Sequence, residues 1–306
     1  MKIETIIVES EELTRIDRYL RRIFPLLTQG IIESYLRKAK IKVNGQKIKS
    51  NARIHKGDVI DLFTNTLDSY KNIAKDIKIF SDGSVVLANK LLKEYLVAQT
   101  EKFIAINKPY GLAVQGGSKI SLSIDDALSY LNYINNTNYK LVHRLDKETS
   151  GVLIIANGYD NAAKLGKMFQ DRSVKKTYIA VVSGKLRAKE GVISNKLGKK
   201  RGSVYEIVQE LADGKDAESF YKVLKERNDV SLVEFKPNTG RMHQLRIHSK
   251  LLHCPIVGDT KYGGPSFDRM LLHAKEIILP LDVFGEVIKI TTELPIGFDI
   301  EQIYIK

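Results

Sequence analysis

The stretch "VHRLDKETSG", residues 142–151, sets one aspartate, Asp146, among His143, Arg144, Lys147, Glu148, Thr149 and Ser150. Apolar, β-branched runs flank it, Tyr139 to Val142 and Val152 to Ala156, and they predict strands around a polar knot closed by Gly151. An aspartate there can be a turn residue whose carboxylate accepts backbone N–H groups. It becomes chemically useful if an opposite charge within a few Å keeps it ionised inside a cleft. A second cluster, "FKPNTGRMHQLRIHSKLLHCPIVGDTKYGG" at residues 235–264, carries two arginines, Arg241 and Arg246, either of which can supply that charge. An anionic side chain so held can attack an electron-poor carbon or remove a proton.

Other chemistries are disfavoured by what is missing. There is no G-x-x-x-x-G-K-[ST] or G-x-G-x-x-G, so nothing predicts a nucleotide-phosphate cradle. No G-x-S-x-G predicts a nucleophile elbow. A hydrolase built on Ser150 needs a base beside it, and Thr149-Ser150-Gly151 reads better as turn chemistry. His243, His248 and His253 are spaced by five, which separates neighbours in a strand and rotates them by about 140 degrees in a helix. No metal site is expected, and these histidines read as hydrogen-bonding or core residues. With Cys254 alone, neither an internal disulfide nor a cysteine-based zinc site can form.

The knot must sit on a sheet. "KFIAINKPYGLAV" opens a β-rich region, and alternating runs recur at "KKTYIAVVSG", "ESFYKVL", "DVSLVEFKP", "RMLLHAKEIILP" and "EVIKITTEL", with helices near 123–133 and 159–170. Many strands and few long helices predict an α+β domain with a mixed, mainly antiparallel sheet over 99–306. Residues 65–98 read as a linker holding a strand at Val85 to Leu87 and a short helix around Leu91 to Leu96.

Residues 1–64 read as a separate small α/β unit. "EELTRIDRYLRRIF" and "TQGIIESYLRKA" carry apolar residues at helical spacing, leaving Arg15, Arg18, Arg21 and Arg22 on the flanks of the first. Asn44-Gly45 within "IKVNGQKI" predicts a type I′ hairpin, because both central residues need positive φ. The formal charge of +13 favours a polyanionic partner, most simply nucleic acid. A membrane surface is the rival, but no basic amphipathic helix with a large aromatic face supports it. Without a signal-peptide-like segment or a membrane-length apolar run, the default location is cytoplasmic.

Five ordered stretches, "NKPYGLAVQGG", "HRLDKETSG", "KKTYIAVVSG", "TGRMHQLRIH" and "PIVGDTKYGG", resemble the RluA-type pseudouridine synthases over about residues 100–300. The front end resembles the S4-type RNA-binding domain in the order Arg-Ile-Asp-x-x-Leu, helix, Val-Asn-Gly, Lys-Gly-Asp. The resemblance implies a catalytic domain of pseudouridine synthase type, with Asp146 as catalytic aspartate and Arg246 as the arginine that pairs with it. It implies that Tyr178 packs against the flipped base and handles the proton at its C5, and that Arg144 helps turn the nucleotide out of its stack.

His143, Thr149, Lys176 and Arg241 are expected at the substrate, with Ile247 as pocket wall. By the S4 resemblance Arg18, Arg37, Lys38, Lys40 and Lys42 contact RNA backbone. Met242 departs from the Ser or Thr usual at its place, which removes any hydroxyl contact there. The activity implied is isomerisation of uridine by an enzyme without cofactor or metal, working as a monomer. The RluC-type branch, acting on large-subunit ribosomal RNA, matches best. A transfer-RNA synthase and a non-catalytic S4-type ribosome- or RNA-binding protein are the alternatives.

Overall fold

The computed structural model describes residues 3–9, 13–24, 27–63, 80–117, 120–199, 208–281 and 285–303. The chain divides into two compact units, Met1–Phe80 and Ser81–Lys306.

In the first unit, β1 (Ile3–Ile7) and β3 (Ile41–Val43) flank β5 (Val59–Phe63) in an antiparallel sheet, while β2 (Thr14–Arg15) pairs with β4 (Arg53–Ile54). The helices Ile16–Ile23 and Gln29–Arg37 bury Ile16, Leu20, Ile32 and Leu36 against this sheet, following the helical spacing of those residues. Asn44 (φ 49°) and Gly45 (φ 73°) both take positive φ, and Val43 and Gln46 exchange backbone hydrogen bonds across them, as the Asn-Gly pair predicts. Asp17 is buried and holds the Arg15 guanidinium at 3.1 and 2.6 Å, so Arg15 belongs to the frame and not to the outer flank.

The second unit is built on a single eleven-stranded sheet. Its strands are β6 (Leu96–Gln99), β7 (Phe103–Lys108), β8 (Tyr139–Leu141), β9 (Ser150–Asn157), β10 (Lys175–Ser183), β11 (Glu190–Lys199), β12 (Val208–Glu210), β13 (Lys215–Arg227), β14 (Val230–Pro237), β15 (Leu272–Leu279) and β16 (Ile288–Thr291). Their order is β12-β11-β13-β14-β10-β15-β9-β7-β6, with β16 on β15 and β8 on β9. Every pairing is antiparallel except β9 with β15, so the sheet is mixed and mainly antiparallel, as the strand pattern predicts.

The strand β9 is buried along nearly its whole length, which explains its continuous apolar run in place of alternation. Helices Ile124–Asn135 and Tyr159–Gln170 cover the sheet, the first opened by a capping box between Ser123 and Asp126.

The strand expected at Val85 to Leu87 and the short helix at Leu91 to Leu96 are replaced by one helix, Asp82–Lys93, capped by Ser81. Its Leu87, Ala88 and Leu91 are buried in the core with Leu128 and Leu131 of the neighbouring helix. The apolar residues recur at helical spacing, and burial of that face outweighs the β propensity of Val85 and Val86. Residues 81–98 therefore belong to the second unit and not to a linker; residues 65–79 of the expected linker lie outside the described residues. Among the described residues no helix is long and apolar enough to cross a membrane.

Candidate active site

Asp146, Tyr178 and Arg246 line one cavity of about 490 Å3, a volume suited to a small organic ligand. They arrive from three places: the turn before β9, the middle of the sheet, and the helix Gln244–Leu251.

The Asp146 turn is pinned from several sides. Leu145, at its base, is buried in the core with Ile106 and Leu153. The Thr149 N–H donates to the Asp146 carbonyl at 3.0 Å, and the Gly111 N–H donates to the Lys147 carbonyl at 2.9 Å. Lys108 is fully buried at the end of β7. Its ammonium donates to the carbonyls of Pro109, Leu112 and Lys147 at 3.0, 2.8 and 3.2 Å, matching its three N–H donors. Burial pushes this lysine down to about 7, against the pull of Glu148 and Asp146. Gly151 closes the turn at φ +115°, where a Cβ would lie 2.2 Å from the Ala274 carbonyl oxygen on β15.

Tyr178 lies on β10 between Phe235 and Ala274, beside a register shift between Thr177 and Tyr178. Such bulges re-aim a side chain, and here the half-buried ring faces the cavity. Burial, reinforced by the negative charge of Asp146, pushes its phenol above the usual range.

The expected direct pairing of Arg246 with Asp146 is not formed. Arg246 donates through Nε and Nη2 to Asp259 at 2.8 and 2.6 Å, a bidentate pair buried on both sides. Its Nη1 stands 3.7 Å from a Glu148 carboxylate oxygen. The Asp146 carboxyl is accordingly pushed up, not down: burial dominates, and the neighbouring charges of Arg246 and Arg144 only partly offset it. Arg246 thus acts on Asp146 through space, from a guanidinium whose orientation Asp259 fixes.

Arg144 is exposed at the cavity mouth, and Thr149, Lys176 and Arg241 also line the cavity. The Arg241 Nε donates to the Asp216 carbonyl at 2.9 Å, which anchors its stem while the guanidinium remains at the rim. His143 lines the cavity too, but its Nε2 accepts the Ile154 N–H at 2.8 Å and its ring stacks on Phe169 at 4.2 Å. Burial pushes it down to about 3, so it is a neutral wall residue.

Ile247 is not pocket wall. It faces the other side of its helix, buried with Leu197, Val208, Ala217 and Tyr262, while Leu245 and Met242 line the cavity instead. Arg18, Arg37, Lys38 and Lys40 are exposed on the first unit, and Lys42 there is half-buried.

Ser150 does have a base beside it, His273 Nδ1 at 2.8 Å. Both are buried, Arg269 donates to the Ser150 oxygen at 2.6 Å, and His273 Nε2 meets Thr292 at 2.9 Å, so the hydroxyl is consumed in bracing β9 against β15.

The sequence reading missed Asp259, Tyr262, His243 as a cavity residue, and Arg172 at the rim. The stretch "PIVGDTKYGG" carried the first two, but nothing in its spacing says that an Asp and a Tyr turn back toward a helix 13 residues earlier.

The sequence model of the RNA pseudouridylate synthase family matches residues 102–251, a segment holding Asp146, Tyr178, His243 and Arg246. Ribosomal large subunit pseudouridine synthase C of Rickettsia bellii is 46% identical over 96% of this chain and 99% of its own length. The protein of that name from Rickettsia felis is 47% identical over 93% and 94%. The one from Vibrio parahaemolyticus is 30% identical over 86% and 84%. Among solved structures, human RNA pseudouridylate synthase domain containing 4 aligns with a TM-score of 0.60 at 30% identity, covering 70% of this chain and 94% of that one.

Proposed function

The chain belongs to the RNA pseudouridylate synthase family and is a pseudouridine-forming isomerase, and we propose that it acts on large-subunit ribosomal RNA with Asp146 at the sugar of the target uridine. The observation that carries the site assignment is the single cavity lined by Asp146, Tyr178 and Arg246. The relatives named for the ribosomal large subunit support the substrate.

Pseudouridine forms when the N1–C1′ bond of uridine breaks, the uracil turns in place, and C5 takes the sugar carbon. The C5 proton is lost and N1 gains one, so no atom is gained or lost overall and no external reductant is needed. Asp146 supplies the negative charge beside C1′, as nucleophile or as base toward a ribose proton. A stacked uridine cannot reach such a cavity, so the nucleotide is flipped. Tyr178 gives the flipped base an aromatic face. With its phenol pushed upward it stays in the O–H form at neutral pH, so taking up the C5 proton requires passing its own proton on.

Arg144, Arg172, Lys176 and Arg241 place positive charge around the opening, suited to the phosphates flanking the target. Arg18, Arg37, Lys38, Lys40 and Lys42, on an S4-like first unit, add backbone contacts that strengthen binding to the RNA. The internal balance of the reaction supports an enzyme without cofactor or metal, and the reading extends to a monomer working in the cytoplasm on ribosomal RNA.

Mapping pseudouridines in ribosomal RNA from cells lacking this protein tests the substrate. One or more large-subunit sites should be lost and restored by the wild-type gene but not by Asp146→Asn. Loss of transfer-RNA sites with ribosomal RNA unchanged would assign the other substrate.

A further inference from the structure

Asp146 has a close side-chain neighbour that the scheme above does not use. His243 Nε2 lies 3.9 Å from Asp146 Oδ2, and the imidazole is mostly buried. The residue stands at φ 54°, directly before the helix Gln244–Leu251 that carries Arg246. This left-handed geometry turns the ring away from the helix axis and into the cavity.

The other ring nitrogen bears on which way the imidazole carries its proton. His243 Nδ1 is 2.7 Å from the Tyr262 hydroxyl. That hydroxyl also accepts the Val208 N–H at 3.2 Å, which leaves its own proton available to His243 Nδ1. An imidazole accepting at Nδ1 carries its N–H at Nε2, the nitrogen that faces the carboxylate. The Tyr262 ring also packs edge-on to His243 at 5.5 Å and lies under the Arg246 guanidinium at 5.0 Å. The short segment Asp259–Tyr262 therefore contacts both the fork of Arg246 and the Nδ1 of His243.

We propose that His243 is a positioning residue that orients Asp146 and favours its carboxylate form by presenting Nε2–H to Oδ2, with Tyr262 holding the tautomer. The groups facing Asp146 leave room for such a role. Arg246 is committed to Asp259, Lys108 is committed to three carbonyls, Arg144 is exposed, and Glu148 opposes a second negative charge. Tyr178, from β10, and Tyr262 are its further ionisable neighbours. A contact of 3.9 Å in the substrate-free site needs only to shorten when substrate fills the cavity, as catalytic hydrogen bonds commonly do.

The inference rests on the pseudouridine synthase reading with Asp146 at the sugar. Its test is the pH profile of kcat/KM for pseudouridine formation on a large-subunit ribosomal RNA fragment, compared among wild type, His243→Phe, His243→Gln and Tyr262→Phe. Removing the donor, or freeing the tautomer, should move the acidic limb to higher pH and cost about tenfold at its foot, with a smaller loss on the alkaline plateau. His243→Gln, whose amide N–H reaches the same place, should recover most of that loss. Tyr262→Phe keeps the packing ring and serves if His243→Phe fails to fold. Acidic limbs that superimpose on wild type, or a Gln variant no better than Phe, overturn the proposal. A wild-type enzyme that forms no pseudouridine on the fragment would overturn the functional reading itself, and this inference with it.

Discussion

Arg246 and Asp259 share two parallel hydrogen bonds of 2.8 and 2.6 Å, and both side chains are almost wholly removed from solvent. Asp259 is thus the partner that fixes Arg246, while Asp146 is left to feel that charge through space. Removing one half of a buried pair strands the other, at a cost of about 3–5 kcal/mol. Asp259→Ala should lower stability by that order and abolish turnover. Its measurement is denaturant unfolding beside pseudouridine formation.

The raised carboxyl of Asp146 makes a prediction with a definite sign. Between the ordinary aspartate value and the folded value, the folded chain binds more protons than the unfolded one. Stability from this group therefore falls as pH rises through that window, and the full cost is present above it. Asp146→Asn removes the cost. The variant should be at least as stable as wild type at pH 7.5, with an advantage that shrinks toward pH 4. A structural salt bridge predicts the reverse, and unfolding midpoints at the two pH values decide.

Gly151 tests how the knot is held against β15. A methyl group there meets the Ala274 backbone at 2.2 Å from oxygen and 2.6 Å from nitrogen, in a backbone conformation that side chains rarely adopt. Gly151→Ala should destabilise by about 2–3 kcal/mol or more and reduce activity further, because the displaced segment begins five residues after Asp146. Calorimetry together with a turnover assay reads both.

Lys108 links the loop after β7 to the loop bearing Asp146 through the Lys147 carbonyl. Lys108→Met leaves three carbonyls short of a donor, so stability should drop by about 1–3 kcal/mol. The catalytic loop also loosens. Affinity for RNA, measured by filter binding, should change little while kcat falls.

Much of this architecture was legible because local signals agreed. The period-two runs became β10, β13, β14 and β15, and Asn44-Gly45 became the turn it encodes. Asp146, Tyr178 and Arg246 could be named because the ordered motifs around them resemble those of a known family. The exchange of partners at Arg246 was hidden, since Asp259 reaches it by a fold-back that no periodicity records. His243 was hidden for a related reason: a left-handed backbone at a non-glycine residue aims the ring where neither a strand nor a helix would. At Asp82–Lys93 the error was local, because two adjacent valines suggested a strand where helical burial of Leu87 and Leu91 decided the outcome.

On the proposed reading, the Asp146 carboxylate acts on the sugar of a flipped uridine. The most direct test of that role compares Asp146→Asn with wild type for both RNA affinity and pseudouridine yield on the same large-subunit ribosomal RNA fragment. The predicted result is retained binding with no detectable product. Product formation by the Asn variant at near wild-type rate would contradict the account.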